Sequence, residues 1–195
     1  LFLGVALLNY IAHWFYFNHN YEAYRVMDSV WVFTSLASYP LYYYYIRLLT
    51  VDMKIQYRWS WILLPAILLS LFSAALYLLM SSEEIEQFTH EVLYHNREQV
   101  GSFSLLISLQ VLRINLFKFL FAIQVILTLV FGLRLITDFN KRVYAFYSNV
   151  ENREITKIRN LLFFLVLAST VSAISNLIGK NYFYDHPYLL AFPSI

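Results

Sequence analysis

Apolar runs of nearly membrane-spanning length recur along the whole sequence, and they constrain the fold more than any other feature. A helix needs about 20 mainly apolar residues to cross the hydrocarbon core of a bilayer. The runs show no period-2 alternation of the kind found in a β-barrel. The sequence therefore predicts an all-α, polytopic transmembrane helical bundle with five spans and an incomplete sixth, at 1–17, 30–49, 59–80, 113–136, 160–178 and 184–195.

The composition of the chain excludes most classes of soluble protein. Hydrophobic residues make up 60% of the chain and charged residues 13%, whereas a soluble domain carries roughly a quarter charged residues. There is no cysteine, which removes thiolate metal sites and cysteine nucleophiles. The chain has four glycines and no catalytic or phosphate-binding motif. We therefore expect no enzyme activity and no cofactor, and the spacing of the histidines favours no metal site: His13, His19, His90, His95 and His186.

Charge in the connections predicts an orientation. The connections 47–58 and 134–159 are rich in Lys and Arg, whereas 81–102 carries five glutamates and one arginine. Basic connections favour the cytoplasmic side. The acidic connection then faces outward, together with the connections 18–29 and 179–185, and we expect a multi-pass membrane protein with a cytoplasmic C-terminus.

The run that follows the acidic connection is too long for one simple crossing. We place the crossing at 113–136 and expect 102–112 to form an interfacial or re-entrant turn on the outer side. One long tilted helix is the alternative.

Polar residues within this run are candidate ligand-binding residues, because ionisable groups in membrane helices are costly and usually face the bundle or a water-filled cavity. Lys118, with Asn115 and Gln124 nearby, predicts a buried polar network. Arg113 lies close enough to the outer boundary for its side chain to reach the headgroups. The one acidic residue within the predicted bounds is Asp185, at the outer start of the incomplete sixth span. We therefore take a ligand carboxylate or phosphate as the hypothesis for the counter-charge of Lys118.

The fifth predicted span has small and polar residues at helical spacing. Such a stripe favours close helix packing, either within the chain or in a homodimer. The sequence leaves these two alternatives open for Ala168, Ser169, Ser172, Ala173, Ser175 and Asn176.

The stretch Phe139 to Leu161, with Phe146-Tyr147-Ser148-Asn149-Val150-Glu151 at its centre, resembles the juxtamembrane segment of membrane-bound AraC-type helix-turn-helix transcriptional regulators of bacteria. Two further segments, 39–50 and 59–69, are similar to spans of that family. The resemblance implies a bacterial inner-membrane location and a cytoplasmic DNA-binding domain beyond residue 195. We expect the fifth and sixth predicted spans and the connection 138–159 to pass a signal to that domain, with these relay residues: Arg142, Phe146, Ser148, Asn149, Glu151 and Arg159. The family's Leu-x-Trp-Leu-Arg element lacks its Trp here, which leaves a membrane histidine kinase with a similar sensor as an alternative.

The function predicted from the sequence is a membrane-embedded sensor domain that passes an envelope or intramembrane cue to a cytoplasmic helix-turn-helix domain. Its expected partners are the lipid bilayer, an unknown cue, a possible second copy, and DNA only through a domain outside these residues. The alternatives are a small transporter or channel component and a structural subunit of a membrane complex.

Overall fold

A computed structural model of the chain describes residues 2–18, 21–52, 54–94 and 104–146, and three isolated helical positions, Asn160, Phe164 and Leu167. These residues form helices, and no strand occurs among them, so the all-α class is confirmed. Two described stretches are long and apolar enough to cross a membrane, Tyr57–Leu79 and Leu105–Ala145. Four of the six predicted spans fall within the described residues, and two of those four meet this test. The predicted spans 160–178 and 184–195 lie outside the described residues apart from the three positions.

Two helices open the chain. α1 spans Phe2–Phe17 and has 16 described residues. α2 spans Tyr21–Thr50 and includes Pro40. It begins well before the predicted start of the span at residue 30, so most of the expected outer connection 18–29 is helical instead. The helix can extend beyond its apolar run because α3 and α5 provide partners for its first polar side chains.

A short 3-10 helix, Tyr57–Leu63, runs directly into α3, Leu64–Leu79. Pro65 lies in the first turn of α3, where its missing N–H leaves no hydrogen bond unmade. The two helices together match the predicted span 59–80 closely. The backbone turns extended at Met80, which ends the helix.

The described part of the acidic connection, residues 81–94, is mainly helical. α4 spans Ser82–Gln87 and continues into a π-helical segment, Phe88–Tyr94. We call residues 82–94 the cap. The Ser81 hydroxyl accepts a hydrogen bond from the Glu84 N–H at 3.2 Å, and the Glu84 carboxylate accepts one from the Ser81 N–H at 2.9 Å. This reciprocal capping box begins α4.

α5 is one helix of 42 residues, Leu105–Phe146. At 1.5 Å per residue it is about 63 Å long, twice the roughly 30 Å of a hydrocarbon core. The re-entrant turn expected at 102–112 is therefore wrong for residues 105–112, and a single long helix is confirmed. Its first turns are stable outside a simple crossing because Ile107 and Val111 pack against the apolar side of the cap.

α2 lies at the centre of the described bundle and contacts α1, α3 and α5. Asp28 and Thr50 of α2 contact Arg113 and Arg142 of α5, so these two helices run in the same direction. α1 and α3 run the opposite way. One apolar cluster joins α1, α3, α5 and the cap, and a second joins α1, α2, α3 and α5 around Leu36 and Phe117.

The capping box predicts a pH effect in the cap. Hydrogen bonds from the Ser104 hydroxyl and from the N–H and hydroxyl of Ser81 lower the pKa of the Glu84 carboxyl. The stabilisation of α4 by this carboxylate is therefore present above the unfolded-state pKa of a glutamate and is lost as pH falls through the depressed folded-state pKa. We expect a carboxyl-detected NMR titration to place Glu84 below the ordinary glutamate value. Ser104→Ala removes the largest of these hydrogen bonds and should raise that pKa, and an unchanged value would contradict the assignment.

Candidate functional site: a buried ionic network between three helices

A buried ion pair joins α2 to α5. Arg113 Nη2 lies 2.8 Å from Asp28 Oδ2, and the two side chains are 1% and 2% exposed. The Tyr77 hydroxyl, from α3, donates a hydrogen bond to the same carboxylate oxygen at 3.0 Å. We call Asp28, Tyr77 and Arg113 the Asp28 network. Because an isolated buried charge is very costly, each of these groups requires the others.

The spacing along each helix brings the network together. Gln110, Arg113 and Phe117 lie three or four residues apart and share one buried face of α5. On α2, Asp28 is followed by Val32 and Leu36 on the buried side. The ion pair therefore lies at the end of the apolar faces of α2 and α5, which pack against each other.

Two buried polar atoms beside the ion pair have no hydrogen-bond partner among the described residues. They are the Nε of Arg113 and the Oε1 of Gln110. The Gln110 amide nitrogen contacts the Met80 sulfur at 3.9 Å. An unused donor and an unused acceptor in a buried site are each costly. The network therefore has hydrogen-bonding capacity for a small polar group, while the formal charges of Asp28 and Arg113 balance.

The predicted ligand-binding residues do not converge on one point. Arg113 is buried and paired, so the interpretation that its side chain reaches outward to the headgroups is wrong. Asn115 and Lys118 are exposed on another side of α5. Gln124 is half-buried, and its Oε1 atom has no hydrogen-bond partner in the part of the chain that is described.

Sequence reasoning missed Asp28, Tyr77 and Gln110. Asp28 precedes the apolar run that begins at residue 30, so hydropathy alone predicts that it lies in a connection and outside the spans. The available signal was Arg113 itself, because a buried arginine requires an acid on a neighbouring helix.

A series of hydroxyl and amide contacts continues from the network along α2. Ser29 donates to the Ser73 hydroxyl of α3 at 3.1 Å. Further along, Asn9 of α1 donates to the hydroxyls of Thr34 and Ser35 at 3.1 and 2.6 Å. Beyond Ser38, the buried side chains of α2 are mainly Tyr39, Tyr42 and Ile46. The polar layer therefore covers the half of the bundle nearest the network.

The opposite end of the bundle is basic. Arg47 pairs with Asp52 at 2.7 Å and lies 4.2 Å from the ring centre of Trp59. Arg142 of α5 donates to the carbonyl oxygen of Thr50 at 2.9 Å, which brings the two basic connections together. Of the predicted relay residues, Arg142 makes this contact and Phe146 ends α5. Ser148, Asn149, Glu151 and Arg159 lie outside the described residues.

No protein-family model, curated protein or solved structure matches the chain.

Proposed function

We propose that this chain is a signal-transducing membrane domain, in which α5 couples the Asp28 network to the opposite, basic end of the bundle. The observation that carries the proposal is the placement of Arg113 and Arg142 on one continuous helix. Arg113 lies in the buried ion pair, and Arg142 holds the carbonyl at the end of α2. A cue that favours another arrangement of the Asp28 network would shift α5 and so move the contact between Arg142 and Thr50. At 1.5 Å per residue, Arg142 lies roughly 44 Å along the helix from Arg113.

The distribution of charge supports a location in the bacterial inner membrane with the cap outside. Glu83, Glu84 and Glu86 lie on the cap, at the end of the bundle that holds the network. The other end carries basic residues from both connections, Arg47, Lys54, Arg58, Lys141 and Arg142. Basic residues on the inner side and acidic residues on the outer side follow the usual charge rule of multi-pass proteins.

The resemblance to membrane-bound AraC-type regulators supports a helix-turn-helix output domain beyond residue 195. α5 runs toward the basic end, which is the direction that a cytoplasmic output domain requires. Reading the coding sequence downstream tests this proposal. A helix-turn-helix pair would support it, a kinase core would keep the sensor role and replace the output, and a stop codon shortly after residue 195 would contradict it.

The coupling itself can be measured by double spin labelling, because the chain has no native cysteine. Val51 and Lys141 are exposed near the Thr50–Arg142 contact and can be replaced by Val51→Cys and Lys141→Cys. We expect Asp28→Asn to shift the distance between the labels by on the order of 1–2 Å, as in other helix-shift switches. The measurement is pulsed electron paramagnetic resonance on the membrane-reconstituted chain.

Ser38→Ala is the matched control for this experiment. It removes another polar contact of α2, from the Ser38 hydroxyl to the Thr34 carbonyl, but none to α5. The control should leave the distance unchanged. An identical distance in Asp28→Asn and in the parent protein would contradict coupling through α5.

A transporter is the second candidate, favoured by the polar contacts between Asn9, Thr34, Ser35, Ser29 and Ser73. A conduit needs a polar path through the whole bundle, and on α2 this path ends at Tyr39, Tyr42 and Ile46. The contacts therefore support a sensor better than a conduit. Substrate flux in liposomes that is lost in Asn9→Leu would favour transport instead.

A further inference from the structure

We propose that the 3-10 helix Tyr57–Leu63 and the adjoining face of α3 form a binding site for one anionic phospholipid. The headgroup would bind beside Arg58 and Trp59, and an acyl chain would lie in the groove between α3 and α5. This inference rests on the proposed bilayer location and adds a specific ligand to the inner end of the bundle.

The headgroup position is an open cavity of about 590 Å³, lined by Arg58, Trp59, Trp61 and Ile62. Arg58 is exposed and makes no ion pair with any described residue. The indole Nε1 of Trp59 is buried and has no acceptor among the described residues. Both residues line the cavity, and a guanidinium and an indole N–H that has no acceptor in the described part of the chain are donors that suit a phosphate oxygen.

The cavity lies where an interface is expected. Tyr57 and Trp61 are 88% and 68% exposed on the 3-10 helix, and exposed aromatic rings of this kind concentrate at headgroup level. Arg47 holds the Trp59 ring from the protein side by a cation–π contact of 4.2 Å. The Arg47 guanidinium therefore supports the ring of a residue that lines the cavity.

An apolar groove of about 400 Å³ follows directly along α3. It is lined by Leu64, Pro65, Leu68, Leu69 and Phe72 of α3 and by Leu120 of α5. The lining of the groove begins at Leu64, just after Ile62 of the headgroup cavity, and follows α3 toward the bilayer core. A cavity with a cationic side chain, followed along the chain by an apolar groove, fits a phospholipid better than a free phosphate or a soluble peptide.

The test is native mass spectrometry of the full chain purified in detergent and supplied with either phosphatidylglycerol or phosphatidylcholine. We expect the chain to retain phosphatidylglycerol preferentially. Arg58→Gln should lower that retention about fivefold, the effect of one basic residue at an anionic lipid surface. Trp59→Phe keeps the ring under Arg47 but removes the donor, and should lower retention about threefold.

Lys54→Gln is the matched control, because Lys54 is exposed and basic in the same connection but does not line the cavity. Its retention of phosphatidylglycerol should equal that of the parent protein. Equal losses in Lys54→Gln and Arg58→Gln would show nonspecific charge attraction and overturn the proposal. Equal retention of the two lipids would overturn it as well.

Leu68→Trp tests the groove, because Leu68 is exposed and its replacement can fill the space without disturbing the core. We expect it to reduce retention of phosphatidylglycerol. A dimer that persists without lipid and is lost in Leu68→Trp would assign the groove to a second copy and overturn the lipid proposal. Resistance of the chain to alkaline extraction from membranes reports the bilayer location separately, so failure of the lipid site is distinguishable from failure of the proposed function.

Discussion

Arg113→Met is expected to destabilise the folded chain by about 3–5 kcal/mol, the cost of removing one partner from a buried ion pair. The substitution leaves the Asp28 carboxylate buried, with the Tyr77 hydroxyl as its remaining donor in the network. Methionine preserves most of the side-chain volume, so the loss of charge dominates over the formation of a cavity. Equilibrium unfolding of the detergent-solubilised chain, followed by circular dichroism, measures the free energy.

A double-mutant cycle separates the pair from general damage to the core. Asp28→Asn alone leaves Arg113 without its counter-charge and should also destabilise strongly. Asp28→Asn with Arg113→Met leaves no unpaired charge in the network, so the double variant should recover much of the loss. A loss of stability in the double variant that equals the sum of the losses in the two single variants would contradict direct pairing.

Phe88→Ala is expected to cost about 3–5 kcal/mol, the usual range for truncating a buried phenylalanine. Phe88 is fully buried where the cap meets Tyr77, with ring centres 6.0 Å apart at an angle of 69°. The same cluster contains Ile107 of α5. Loss of the ring should therefore detach the cap from α3 and α5, which equilibrium unfolding and amide hydrogen exchange across 82–94 would detect.

Phe119→Ala is the control for that truncation. Phe119 lies on α5 and is 64% exposed, so its loss removes a ring of the same size without opening the core. Its unfolding free energy in detergent should stay near that of the parent protein. Equal destabilisation by the two variants would show that the cap does not depend on Phe88 for its attachment.

Sequence patterns predicted the helical class because a helix makes all its backbone hydrogen bonds within one segment. A long apolar run therefore favours a helix without any contribution from distant residues. The stretch 59–80 was predicted within two residues of the structure at each end, since its boundaries coincide with changes in hydropathy. α2 and α5 were predicted poorly at their N-termini. Asp28 and residues 105–112 are helical because of contacts with distant residues, and the hydropathy of a window contains no information about those contacts.

The candidate site also combines features that the sequence predicts with features that it does not. The sequence indicates that Arg113 is a costly ionisable residue in an apolar run, but it does not indicate that the side chain is buried or which residues pair with it. Lys118 had the same local signal, yet it lies on the exposed side of the same helix. The rotation of α5 against α2 and α3 decides which of its side chains face the bundle, and it buries Arg113 while it exposes Lys118.

By itself, the sequence determined the helical class of this protein, the apolar stretches at 59–80 and 113–136 that overlap the two long helical stretches of the structure, and the segregation of basic from acidic connections. These features depend on composition and on neighbours within a few turns. Only the tertiary structure decided that Asp28, Tyr77 and Arg113 meet, that residues 82–94 of the acidic connection form the cap, and that Arg142 contacts Thr50. Those pairs lie between 49 and 92 residues apart in the chain, and each polar group is stable only when packing brings its partner within hydrogen-bond distance.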